Sequence, residues 1–407
     1  MELLAYLKKN SLFYQNLFKA HQINIDNVRT LEDLISLPVT TKDDLQLHND
    51  DFYCVPKSNI VDYSTTSGTL GEPVTIALTD KDLDRLAYNE AISFACAGIT
   101  ENDTVQLMTT MDRRFMAGMA YFLGIRKLGA SIIRVGAGIP EMQWDSILKY
   151  KPTYLVAVPS FLLKLIAYAK KNGIDYRNSG VKGVICIGEA IRDNEFNLNL
   201  LGNKIVSNWP LKLYSTYAST EMSTAFTECE YTKGGHHHPE LIIVEILDDN
   251  NQPVSNGDYG ELTITTLGVE AMPLLRFKTG DLVKAFYEPC QCGRNSLRLS
   301  PVLGRKKQMV KYKGTTLYPP VLFDLLNNID GVENYLIEIS TNAIGTDQIL
   351  IKIGSEQASD ELLKTVRDHC RAKLRVAPDI QFCDIEEINL LRFPEMSRKP
   401  VLFLDKR

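Results

Sequence analysis

Two stretches of the chain collect residue types that can do chemistry. The first, Ser64-Thr65-Thr66-Ser67-Gly68-Thr69-Leu70-Gly71, places five hydroxyls and two glycines in eight positions, directly before Glu72 and Pro73. Backbone amides approach a polyphosphate closely only where no side chain intervenes, so Gly68 and Gly71 suit close contact and the hydroxyls add donors. The segment lacks the Gly-Lys-Ser/Thr ending of a Walker loop. Ser/Thr/Gly clusters are also ordinary loop material, so composition fits a solvated hairpin loop equally well. The second set is Cys229, His236 and the Cys290-Gln291-Cys292 turn. Three thiols and an imidazole without a carboxylate form the donor set of a closed structural zinc site. His238 is the alternative imidazole, and reduced surface thiols beside a solvated histidine run are the plain reading.

Other chemical signatures are weaker. Gly136-Ala137-Gly138-Ile139-Pro140 starts like a dinucleotide fingerprint but lacks the third glycine and carries Pro140. There is no Gly-x-Ser-x-Gly elbow, and no carboxylate spacing marks a glycosidase.

The elements that must position these residues alternate between helix and strand over the first two-thirds of the chain, an α/β pattern. Val61-Asp62-Tyr63 before the Ser/Thr/Gly segment and Val74-Thr75-Ile76-Ala77 after it both read as strands, making it a strand–loop–strand element. Residues 80–97 read as a helix capped by Thr79 or Asp80, and 104–109, 130–135, 154–158 and 181–187 as strands, with helices near 121–128 and 160–171. From about 229 to 303 the texture becomes β-rich, with strands at 241–247, 260–266 and 281–286 and an Asn256-Gly257 turn. A boundary falls at Gly304-Arg305-Lys306-Lys307, giving a large domain of 1–303 and a small α+β domain of 304–407. The latter pairs strands at 335–339 and 349–353 with a helix at 360–374.

Bulk properties narrow the class. The chain has 407 residues, with 45 Lys+Arg against 50 Asp+Glu and a net charge of −5. An acidic balance without a basic run argues against nucleic-acid backbones as partners. Residues 1–20 lack signal-peptide features and read as one amphipathic helix, and no apolar run approaches the ~18 residues of a membrane span. A cytoplasmic protein is expected, with reduced cysteines; Cys54, Cys96, Cys186, Cys370 and Cys383 each stand alone and read as packed thiols.

The Ser64–Pro73 segment is the second of five segments in a recognisable order. Before it stands Pro38-Val39-Thr40-Thr41-Lys42-Asp43-Asp44-Leu45. After it come Tyr214-Ser215-Thr216-Tyr217-Ala218-Ser219-Thr220-Glu221, then Met272-Pro273-Leu274-Leu275-Arg276-Phe277-Lys278-Thr279-Gly280-Asp281, then 304–319. Together they resemble the phenylacetate–CoA ligases of the adenylate-forming superfamily over nearly the whole chain. The resemblance implies ATP, Mg²⁺ and coenzyme A as co-reactants and a small carboxylic acid as substrate, an aryl acid such as phenylacetate. The acid would become an acyl-adenylate and then an acyl-CoA, releasing pyrophosphate and AMP.

By the same resemblance Ser64, Thr65, Thr66, Ser67, Gly68, Thr69 and Gly71 hold phosphates and Glu221 holds Mg²⁺. Gly188, Glu189 and Ala190 line the adenine pocket with Tyr217; Ala218, Ser219 and Thr220 also bind the nucleotide, Asp281 grips the ribose, and Arg305 contacts ribose or phosphate. Lys307 is the hinge residue, and Lys399 is the lysine of adenylation. A homodimer is implied, and some relatives carry Cys and His at the Cys229 and His236 positions, consistent with zinc. Alternative readings are adenylation with a carrier-protein or other small-molecule acceptor, and a nucleotide-binding module without turnover. The chain departs from the family at Arg398 and Pro400 around Lys399, and at Glu72, where relatives carry a lysine; either another cation, such as Lys278, compensates, or Glu72 points away from the phosphates. The Arg113-Arg114 pair is foreign to the pattern, and 113–121 reads equally as an aryl pocket or as helix core.

Overall fold

Tyr154–Ala157 and Gly183–Cys186 are buried at every position, as strands are when helices cover both faces of a parallel sheet. They lie between Thr104–Leu107 and Lys212–Ser219, with Ser131–Arg134 at the edge, and all five strands run parallel. The sense then reverses. Thr224–Glu228, Gly235–His236, Arg298–Leu299 and Ala285–Phe286 continue the sheet as antiparallel neighbours, for nine strands. The computed structural model describes residues 1–66, 74–342, 345–394 and 400–407.

Side-chain alternation divides the core between the two sheet faces. Leu155, Ala157, Val184 and Cys186 meet Trp144, Leu162, Leu165, Ile205 and Trp209, which come from the helices Pro140–Tyr150, Pro159–Lys171, Leu200–Asn208 and the turn after the last. Val156 and Ile185 meet Phe94, Tyr121 and Ile125 from the helices Asp80–Cys96 and Met116–Leu128. These two helices nearly touch, since a Cβ on Gly124 would stand 2.2 Å from the Glu90 Cβ.

Three readings from sequence need correction. The expected single N-terminal helix is two, Glu2–Asn10 and Leu12–Ala20, because the Ser11 hydroxyl caps the second by accepting from the Tyr14 amide. The strand expected at 281–286 is Phe277–Val283, followed by the short Ala285–Phe286, which joins the other sheet. Its partners in an antiparallel sheet are Gly260–Thr266 and, beyond that, Ile242–Leu247. Cys96 does not pack alone but lies against Cys229 and Cys290.

The chain divides into two compact units, Met1–Pro301 and Val302–Arg407. In the second, the strands Asp379–Cys383, Asp347–Gly354, Asn334–Thr341 and Phe403–Asp405 form one sheet. Helices Pro319–Asn327 and Asp360–Leu374 supply Leu322, Leu325, Val366 and Cys370 to its core. No helix among the described residues is long and apolar enough to cross a membrane.

Two buried polar arrangements fix the first unit. Arg192 Nε donates to both carboxylate oxygens of Glu228 at 2.8 and 2.9 Å, and its Nη2 donates to the Leu213 carbonyl at 3.0 Å. The Ser215 amide completes the Glu228 shell at 2.9 Å. The helix Asp80–Cys96 presents a second set. Asp82 accepts from the Glu270 and Ala271 amides, Arg85 donates to the carbonyls of Leu267, Ser223 and Leu241, and Asn89 accepts from the Ala225 amide. Each bond ties a distant segment to one helix.

Breaking one side of a buried ion pair strands the other charge. Arg192→Met is therefore expected to cost about 3–5 kcal/mol of stability in chemical denaturation. Glu90 offers a pH test. Burial pushes its carboxyl up to about 8 from 4.5, against the hydrogen bond from Asn89. Between those values the folded chain keeps a proton that the unfolded chain releases, so stability falls as pH rises through the window. Thermal melts from pH 5 to 9 should show Glu90→Gln losing less stability than the parent.

Candidate functional site

The strand Lys212–Ser219 leaves the sheet beside the carboxyl ends of its parallel neighbours, where open α/β sheets place ligands. Its last residues meet the Phe277–Val283 strand: the Tyr217 hydroxyl donates to Asp281 Oδ2 at 2.7 Å. Tyr217 also lies beside its cross-strand partner Phe226, with ring centroids 6.0 Å apart. A tyrosine ring and a buried carboxylate thus share one corner, offering an aromatic face and an acceptor for paired hydroxyls.

Two residues beyond that strand, Glu221 faces Lys42 Nζ at 3.4 Å. Lys42 opens the helix Lys42–Leu47 behind a capping box of Thr41 and Asp44. Thr40 then bridges to the strand of Asp281, its carbonyl accepting from the Lys278 amide at 2.8 Å and its amide donating to the Arg276 carbonyl at 3.0 Å. Three of the five ordered segments are therefore contiguous in space: 38–45, 214–221 and 272–281. Lys42 is the site residue that sequence reasoning did not single out, although it lies inside one of those segments. Arg85 fixes the turn that carries Glu221, through Ser223 and Thr224. Glu221 is mostly buried and offers the oxygen ligands that a hard dication takes, and in this structure its carboxylate is engaged by Lys42.

The 187–190 segment follows the Gly183–Cys186 strand, with Gly188 in a left-handed conformation at φ 75°. Gly188 and Ala190 are exposed, and the Ala190 carbonyl accepts from Asn199. The Glu189 carboxylate serves the fold. It accepts from the Ser160 amide and hydroxyl, both at 2.8 Å, and so caps the Pro159–Lys171 helix. Ala218 is exposed and Thr220 half-buried, and Ser219 accepts from the Met222 amide.

Of the Ser/Thr/Gly segment, Ser64, Thr65 and Thr66 are described, while Ser67, Gly68, Thr69, Gly71 and Glu72 lie outside the described residues. Asp62–Thr65 pairs antiparallel with Thr75–Leu78, so the segment does join two strands. At its neck the hydroxyls of Ser64 and Thr66 hold the strands: Ser64 donates to Asp62, and Thr66 accepts from the Val74 amide. Lys278 does not stand in for the missing loop lysine, because it pairs with Glu261 at 2.9 Å and donates to Asn251 at 2.8 Å. Tyr121, from the stretch with two readings, belongs to the helix core against Phe94.

In the second unit Arg305 and Lys307 are exposed, and the 306–309 turn is held by Arg407, whose guanidinium donates to the Met309 carbonyl at 2.9 Å. Lys399 lies outside the described residues.

The antiparallel end of the large sheet gathers the thiols. Cys229 follows the Thr224–Glu228 strand, His236 ends Gly235–His236, and the Cys290–Cys292 turn joins the last two strands. Ligand atoms of Cys229, His236, Cys290 and Cys292 all lie within 4.8 Å of one another. Cys229 Sγ is 3.7 Å from Cys290 Sγ, and Cys292 Sγ is 3.6 Å from His236 Nε2. Tetrahedral zinc with ordinary bond lengths sets these edges at about 3.8 and 3.6 Å. Burial, with help from Arg294 and Arg298, holds the His236 imidazole down to about 4, keeping it a neutral ligand. Burial also pushes the Cys229 thiol up to about 12, the direction a bound dication reverses. His238 sits apart, its Nε2 3.3 Å from Ser93 Oγ.

Known proteins share this framework. The family described as "AMP-binding enzyme" matches residues 20–271, more than half of the chain. Phenylacetate–coenzyme A ligase of Thermus thermophilus is 28% identical over 388 residues, covering 92% of this chain and 85% of the relative. That of Escherichia coli is 26% identical, covering 88% and 80%. The structure of 2-hydroxyisobutyryl-CoA ligase in complex with 2-HIB-AMP superposes with a TM-score of 0.83 at 23% identity, covering 100% of this chain and 88% of that one. The chain belongs to the AMP-binding enzyme family and is phenylacetate–coenzyme A ligase-like over nearly its whole length.

Proposed function

We propose that the protein is an ATP-dependent acid–coenzyme A ligase acting on an aryl acid such as phenylacetate. The observation that carries the reading is the shared corner of Tyr217, Asp281, Glu221 and Lys42, built from three separate segments in a family of AMP-binding enzymes. A carboxylate oxygen of the acid attacks the α-phosphorus of ATP, and pyrophosphate leaves with the bond's electron pair. The thiol of coenzyme A then attacks the acyl carbon of the adenylate, loses its proton and expels AMP.

In this reading Asp281 accepts from the ribose hydroxyls, Tyr217 and the 188–190 backbone flank the adenine, and Glu221 holds Mg²⁺, which shields phosphate charge when bound. The family resemblance implies for Lys399 the charge that draws the two anions together, for Arg305 a nucleotide contact and for Lys307 the hinge of a mobile 304–407 domain. A structural zinc ion, held by Cys229, His236, Cys290 and Cys292, crosslinks the short strands at the sheet's end.

Hydroxamate trapping across aryl, hydroxyaryl and medium-chain acids, with and without coenzyme A, tests the activity. Acyl-adenylate with thioester formation is expected, and Glu221→Gln should lower adenylation by about 10²-fold or more. Adenylate without thioester would move the acceptor to a carrier protein, and no ATP-dependent product with any acid would sink the ligase reading. Mass spectrometry of tag-free protein should find about one zinc per chain, with chelation lowering the melting temperature. Metal-free protein of unchanged stability would remove zinc from the account.

A further inference from the structure

Three aromatic rings stand in one row across the antiparallel end of the large sheet. The strands Lys212–Ser219, Thr224–Glu228 and Gly235–His236 pair in turn, with Tyr217 opposite Phe226 and Thr227 opposite His236. One step along that second register His237 comes opposite Phe226, and its ring stacks there with centroids 6.0 Å apart and planes 15° apart. Tyr217 lies on the other side of Phe226 at the same spacing. The row beside it is Thr216, Thr227 and His236, with the two hydroxyls 2.7 Å apart. Neighbouring residues of a strand face opposite ways, so His236 turns to the thiols while His237 turns to the rings.

Both ends of the row are tied to the second sheet. The Tyr217 hydroxyl donates to Asp281 in the Phe277–Val283 strand. The His237 ring donates from Nε2 to the carbonyl of Ile242, which opens the Ile242–Leu247 strand of that same sheet. Phe226, between them, is buried. Rings packed side by side between two sheets cannot shift singly, because protein interiors are close-packed. The weakest support lies at His237. It follows a strand of two residues, Gly235–His236, and its amide donates to the Leu297 carbonyl at 2.8 Å. Its neighbour His236 presents Nε2 to the thiol cluster, 3.6 Å from Cys292 Sγ. A metal bond at that nitrogen fixes the backbone from which the His237 ring projects.

We propose that Phe226 and His237 are positioning residues for the nucleotide corner, and that zinc occupancy at the thiol cluster sets the Tyr217 ring through them. The inference rests on the nucleotide reading of that corner and on the zinc reading of the cluster, and it joins the two by a path of packed rings. In this role neither residue touches nucleotide or metal; each limits where the next ring can lie. With the metal site filled, His237 closes one side of Phe226, Phe226 backs Tyr217, and the tyrosine ring and its Asp281 acceptor are held ready for the adenosine. With the site empty, the two-residue strand loosens first and the row relaxes from that end.

Calorimetric titration of the full chain with AMP, zinc-loaded and chelator-stripped, reads the coupling. Removing zinc from the parent should weaken AMP binding about fivefold or more. By linkage, saturating AMP should raise by the same factor the chelator concentration that withdraws half of the zinc. In His237→Ala both factors should fall to within about twofold of unity. That variant should still take up zinc and still melt at a lower temperature when stripped, which separates positioning from simple stability. Phe226→Leu, one ring nearer Tyr217, should lose the coupling as well and bind AMP more weakly even when zinc-loaded. An AMP affinity in the parent that ignores zinc, or the same factor in the parent and both variants, overturns the inference and leaves the ligase and zinc readings standing. A zinc-loaded parent that binds no AMP sinks the nucleotide reading of the corner, and a parent that holds no zinc removes the metal and the coupling together.

Discussion

The buried pair of Arg192 and Glu228 is the contact on which the site depends. Moving two charges out of water costs several kcal/mol per ion unless geometry and further hydrogen bonds offset it. Here both carboxylate oxygens are engaged by one guanidinium, and the Ser215 amide adds a third donor. Arg192 also reaches the carbonyls of Leu213 and Phe196. Burial still pushes the Glu228 carboxyl upward, with Arg192 opposing. The pair therefore joins the loop after 187–190, the strand of Tyr217 and the strand that precedes Cys229. The proposed nucleotide corner and the thiol cluster are positioned from the same ion pair.

The helix Asp80–Cys96 acts in a complementary way from the other face. Its apolar side enters the core through Leu86, Ala91 and Phe94. Its buried polar side chains bind backbone in distant segments: Asp82 holds 270–271, Arg85 holds 223, 241 and 267, and Asn89 holds 225. Buried donors and acceptors must be satisfied, and the irregular segments around the site carry unpaired backbone groups that need partners. Each solves the other's problem, so the turn bearing Glu221 is held in place without being part of a regular element.

At the far end of the sheet the strands shorten to two residues at 235–236, 298–299 and 285–286. So few ladder bonds hold a strand weakly. The four soft ligands lie at the ends of these strands, where one bound ion would do what further hydrogen bonds do elsewhere.

The α/β architecture, the 80–96 and 360–374 helices, the strand–loop–strand setting and the membership of the thiol cluster were all legible in the sequence, because they follow from periodicity, capping and ligand chemistry, which are local. The break at Ser11 and the passage of the 277–286 stretch from one sheet to the other were not, since apolar alternation does not say which sheet a strand joins. Nor did the motifs reveal which residues serve the fold: Ser64, Thr66, Glu189 and Lys278 all carry chemistry by residue type, yet each has a structural partner. Conversely, no motif marked Arg192 or Arg85, and Lys42 stood inside the 38–45 segment without a role of its own. The sequence by itself determined which chemical groups are present and in what order. Only the tertiary structure decided which of them are occupied by partners and which face the corner, because hydrogen bonds and ion pairs form between residues brought together by folding, whatever their separation along the chain.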